Sequence, residues 1–116
     1  MTISYHKLVR DKIPEIIEAK GQHCVTKILD EDAYLKMLDA KLSEELSEYH
    51  KDQTVEELAD LMEVIYAAAA ARGVSKEELE EVRARKAQQR GGFEKRIFLV
   101  EVTDEKLSEI YSNRHL

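Results

Sequence analysis

The stretch Lys41–Asp60, KLSEELSEYHKDQTVEELAD, limits this chain more than any other. It joins two helix-forming segments through a short turn. Each segment carries two carboxylates three residues apart, Glu45 with Glu48 and Glu57 with Asp60. Positions i and i+3 share a helix face, about 5–6 Å apart at Cβ. A short turn makes the two helices antiparallel neighbours. Glu48 stands near the end of the first helix and Glu57 near the start of the second. Both pairs therefore reach the same end of the hairpin. Four bare carboxylates converging there repel one another, so the site wants divalent cations, and hard oxygen donors favour Mg²⁺ or Mn²⁺.

Helical spacing assigns faces. On the first helix Leu35, Leu38, Leu42, Leu46 and Tyr49 form an apolar stripe. Glu45 lies at its edge and Glu48 just beyond it, while Glu44 lies nearly opposite, toward solvent. On the second, Val55, Leu58, Met62, Ile65, Tyr66 and Ala69 read as the core stripe. Glu57 and Asp60 lie off that stripe, but further along their azimuth come Val64, Ala67, Ala68 and Ala71. A helix apolar nearly all round is buried on most sides, so these carboxylates should face another helix. An acidic run on one helix is ordinarily a solvated face. Two matched pairs on adjacent helices, one continuing into an apolar surface, point instead to a site.

Composition narrows the partners. A chain of 116 residues suffices for one domain and one modest core. With 43% hydrophobic and 36% charged residues and a single Pro, it reads as soluble and helix-rich. Its formal net charge of −6 argues against a nucleic-acid polymer or an anionic membrane surface as partner. A phosphate-bearing ligand stays compatible, because bound metal inverts the local field. Cys24 is the only cysteine, so no intrachain disulfide can form, and a reducing, cytoplasmic setting is the simplest reading. Between His23 and Val25 it reads as a small buried residue rather than a nucleophile. No signal-peptide pattern opens the sequence, and its longest apolar run, around Leu61–Ala71, is too short to span a bilayer.

Taken in order, DKIPEIIEAKG (11–21) reads as a short helix with Pro14 in the first turn and Gly21 as its stop. Lys7, Arg10 and Lys12 bunch ahead of it, either as a solvated basic patch or as an anion clamp at a helix N-terminus. HCVTKIL (23–29) reads as a strand, and Asp30 as the N-cap of a helix over about 31–51. Thr54-Val55-Glu56-Glu57 is a capping box, which competes with cation binding for the Glu57 oxygens. Gly73 stops that helix, and Ser75 to Glu78 forms a second box opening a helix over about 76–90. In its last turns Lys86 and Arg90 stand at i and i+4. They complement the helix dipole, or they reach phosphate oxygens together. Ile97–Val102 reads as a strand able to pair with the 24–29 segment in a two-stranded ribbon. Thr103-Asp104 then caps a short helix over about 105–112.

KLSEELSE followed by EELAD resembles the EExxE…ExxD signature of the all-α nucleoside triphosphate pyrophosphohydrolases, the MazG-like superfamily. YHKLVRDKIPEIIEAKG and RGGFEKRIFL resemble its phosphoribosyl-ATP pyrophosphohydrolase-like branch, and the likeness runs from Tyr5 to about Val102. The resemblance implies one domain over 1–116. Its fold would be mainly α, an antiparallel helical bundle with a small β ribbon, completed by oligomerisation as a homodimer or homotetramer. The alanine-rich Ala67–Ala71 face, which permits close helix approach, fits that independently. It implies that Glu45, Glu48, Glu57 and Asp60 bind Mg²⁺, with Glu44 assisting, and that Lys86 and Arg90 hold phosphates. Lys7, Arg10 and Lys12 match the amino-terminal signature. Only eight residues separate Glu48 from Glu57, shorter than the superfamily's usual insertion, which helps shape the base pocket.

The expected activity is hydrolysis of a nucleoside triphosphate to monophosphate and pyrophosphate. Phosphoribosyl-ATP is an alternative substrate for the same chemistry. A different class of reading is a non-catalytic helical assembly module whose acidic face is merely solvated.

Overall fold

The computed structural model describes residues 1–103. Its helices are α1 (Ile13–Ala19), α2 (Glu31–Asp52), α3 (Val55–Ala71) and α4 (Lys76–Arg90). Local chemistry explains where each begins. Pro14 sits in the first turn of α1, and Gly21, at φ 81°, follows its end with its N–H bonded to the Glu18 carbonyl. The Asp30 carboxylate accepts the Ala33 N–H at 2.8 Å and caps α2. The Thr54 hydroxyl accepts the Glu57 N–H at 3.2 Å and caps α3. Ser75 accepts the Glu78 N–H at 3.1 Å at the start of α4.

The chain divides into two compact units, residues 1–82 and 83–116. In the first unit α2 and α3 pack against each other as an antiparallel hairpin, joined only by Gln53 and Thr54. Leu38, 1% exposed, is the most deeply buried side chain among the described residues, and Val64, at 8%, is the buried residue of α3. Leu35, Leu42 and Tyr49 are half-buried beside them, whereas Leu46 is exposed.

The face that α3 buries differs from the expected one. Val55, Leu58, Met62 and Ile65 are exposed, and the packed side carries Leu61, Val64, Ala68 and Ala71. A helix apolar on most of its circumference has no single azimuth fixed by periodicity. The hairpin buries the side that includes Ala68 and Ala71 and turns the bulky stripe outward. Glu57 and Asp60 share the packed side, so the expectation that they face another helix holds.

The ribbon is corrected outright. Neither 23–29 nor 97–102 is a strand, and no strand occurs among the described residues. Val25 and Ile28 are almost fully exposed, as are Ile97, Phe98 and Val100 in the second unit. β-Branched content marks residues that suit a pleated, half-buried surface, but a strand also needs a ladder partner. Half-buried Cys24 instead sets its thiol against the Pro14 carbonyl (4.0 Å) and the Glu18 carboxylate (3.9 Å) of α1. The expected helix over 105–112 lies outside the described residues. Among the described residues no helix is long and apolar enough to cross a membrane.

Candidate metal centre

The two-residue link sets the register of the hairpin and with it the acidic groups. One carboxylate oxygen each from Glu45, Glu57 and Asp60 lies within 4.8 Å of the others. A second group at the open end of the hairpin joins Glu48, Asp52 and Glu57 within the same limit. Glu57 belongs to both and so bridges them. Of the four carboxylates expected at the site, three share the first group and Glu48 stands in the second, all on half-buried positions. Asp52 lies just past the helix expected over about 31–51. Helix α2 runs on to include it, one turn after Glu48 on the same face.

Glu44 is not on an open solvent face as its azimuth implied. It is half-buried between two ammonium groups, Lys7 at 3.0 Å and Lys41 at 3.2 Å. Lys41 also lies 3.4 Å from Glu45, and its side chain is only 14% exposed. Arg10 reaches across fifty positions of sequence to hold Asp60 at 2.6 Å. The amino-terminal cations therefore lie on the acidic hairpin itself. Lys12 is the exposed N-cap residue of α1 and makes no side-chain cap.

The electrostatics separate the acids. Partial burial pushes the Glu44 carboxyl up, but hydrogen bonds from Lys7 and Lys41 outweigh it and hold it below the ordinary value of 4.5. Lys7 is raised above 10.5, chiefly by its hydrogen bond to Glu44 and by that group's charge. Glu57 goes the other way. Desolvation raises it, and the charges of Asp52, Asp60, Glu48 and Glu45 raise it further. The Thr54 N–H does not bond back to the Glu57 carboxylate, so only half of the capping box forms and those oxygens are left to the cluster.

The donor set fits a hard divalent cation. Glu45, Glu57 and Asp60 would each offer such an ion one carboxylate oxygen, the donor type it takes.

In the second unit, described by itself, Lys86 and Arg90 are exposed and stand four residues apart on α4. Arg90 lines a hollow with the 91–97 loop, where Lys95 and Arg96 join it. The turn that carries these two is closed by the Arg96 N–H on the Phe93 carbonyl at 3.1 Å. Their signal in the sequence was present in RGGFEKR, but a charged loop alone gives no direction to its side chains.

No family model matches the chain. An uncharacterized protein of Mycolicibacterium smegmatis (strain ATCC 700084 / mc(2)155) is 48% identical over 48 residues, which is 41% of this chain and 49% of that protein. The chain thus matches about half the length of that curated relative. No solved structure matches.

Proposed function

We propose that the α2–α3 hairpin is the cation-binding half of a nucleotide pyrophosphohydrolase, cleaving a nucleoside triphosphate to monophosphate and pyrophosphate. The observation that carries this is the Glu45, Glu57 and Asp60 group, drawn from two helices to within 4.8 Å. A natural counterpart for that concentration of charge is Mg²⁺ or Mn²⁺. When bound, such an ion lowers the pKa of coordinated water and neutralises phosphate charge. Glu45, Glu57 and Asp60 hold the ion, and Glu48 with Asp52 extends the donor set toward the open end. Glu44, held ionised by two lysines, keeps Lys41 beside Glu45 and so orients that ligand. In the second unit, taken by itself, Arg90 and Lys86, with Lys95 and Arg96, are cations suited to phosphate oxygens.

A second copy of the chain is part of this reading. The outward stripe of Val55, Leu58, Met62 and Ile65, with Leu46 on α2, is an apolar surface of the sort that subunits bury.

The test is pyrophosphate release across canonical and modified nucleotides, and phosphoribosyl-ATP, with Mg²⁺ or Mn²⁺. Glu45→Ala and Asp60→Ala should each lower turnover by at least about tenfold to a hundredfold with helical content unchanged. Wild-type rates in both variants would end the proposal.

One observation favours a rival. Lys7, Arg10 and Lys41 already pair with Glu44, Asp60 and Glu45, which is how an acidic face would be balanced in a non-catalytic assembly module. That reading expects no rise in melting temperature with Mg²⁺ and any nucleotide. Ligand binding at a hundredfold excess over Kd instead adds about 2.7 kcal/mol.

A further inference from the structure

We infer that Arg10 is an internal stand-in for the cation, an autoinhibitory latch that a divalent ion must displace from Asp60. The inference rests on the cation reading of the hairpin given above. Two of the three carboxylates in the central group carry a protein cation: Asp60 holds Arg10 at 2.6 Å, and Glu45 holds Lys41 at 3.4 Å. Their attachments differ. Lys41 is on α2 itself, one turn from Glu45 and largely covered, so it is fixed relative to its partner. Arg10 arrives from the non-helical segment ahead of α1, and its side chain is 55% exposed. Among the described residues, the only other ion pair tying that segment to the hairpin is Lys7 with Glu44, which lies outside the three-carboxylate group. Arg10 can therefore leave without disturbing a helix.

It has reason to leave. Arg10 and a divalent ion would share the single negative charge of Asp60. A carboxylate ligand is ordinarily supported by hydrogen-bond donors, but a guanidinium on Asp60 also sets a full positive charge beside the place the ion would take. Displacement also gives the amino-terminal segment its purpose. A guanidinium released beside a cation site is placed to take a phosphate oxygen of a polyphosphate arriving with the metal. The same side chain thus holds the empty site together and turns to substrate in the loaded one.

The experiment is Mn²⁺ binding, followed calorimetrically, to the full chain and to two variants. Arg10→Gln removes the latch. Lys51→Gln removes an equal charge near the same end of α2, from an exposed side chain. An exposed ion pair of this kind should be worth about a two- to fivefold change in Kd. Arg10→Gln is expected to bind Mn²⁺ more tightly by that factor, with Lys51→Gln close to wild type. In the ¹⁵N-labelled wild type, the Arg10 Nη–H resonances, whose Nη2 donates to Asp60, should move to their unpaired position as Mg²⁺ is added. Equal or weaker binding by Arg10→Gln overturns the latch and leaves the cation site standing. Equal tightening in both variants overturns it too, since bulk charge then suffices. No Mn²⁺ binding by any of the three proteins removes the cation reading and the latch with it.

Discussion

At the scale of single residues, Glu44 and Glu57 show how neighbours decide what a carboxylate does. Both are glutamates on the same hairpin, yet one is lowered by lysines and the other raised by desolvation and acids. Their effects on stability have opposite sign. Glu44 binds its proton more weakly when folded, so its contribution is full above the unfolded value and lost as pH falls through the lowered one. Glu44 is itself about a third exposed and Lys7 more so, so the size is at most about 1 kcal/mol. Lys7 mirrors it at the alkaline end, losing its contribution as pH rises through its raised value. Glu57 ionises at a cost when folded, which is relieved as pH falls through its raised value. At pH 7 without divalent cations, Glu44→Gln should therefore destabilise and Glu57→Gln stabilise, and both differences should fade below about pH 4. Urea denaturation of both variants across pH checks this; a destabilised Glu57→Gln would show that the carboxylate is not crowded. The charges of this site were legible in the sequence, because i, i+3 spacing and a short turn suffice to gather them. Their partners were not. Arg10 and Asp60 are fifty positions apart, and nothing local announces that they meet.

At the scale of elements, the caps were the surest guide. Asp30, Thr54 and Ser75 each sit where their side chain takes an orphan N–H of the following turn. Losing the Thr54 hydroxyl should cost about 0.5–2 kcal/mol, so Thr54→Ala should lower the urea midpoint while leaving α3 formed at pH 7. An unchanged midpoint would mean that α3 starts from its packing alone. The misread elements share a physical cause. HCVTKIL and Ile97–Val102 have strand composition, but composition cannot supply a neighbour. The rotation of α3 about its own axis was equally hidden. Its apolar residues occupy both sides, and which side meets α2 depends on the link that joins them.

At the scale of the molecule, the first unit leaves a broad apolar stripe of α3 uncovered while burying the alanine-rich side. On the reading proposed above, the stripe is the contact between subunits. Met62→Glu, in the middle of that stripe and away from the carboxylates, should lower the mass measured by sedimentation toward that of one chain. A protein already monomeric at micromolar concentration would exclude the contact. The joint between the long helices carries a further implication. Gln53 adopts a left-handed conformation, φ 53° and ψ 38°, which costs a non-glycine residue energy. Were that bend to relax, α2 and α3 would fuse into one rod, and strained short connections are where chains trade arms. In such an exchanged pair, Glu45 of one polypeptide would look across at the Glu57 of the other. The acid constellation would outlive the swap, rebuilt from two molecules in place of one.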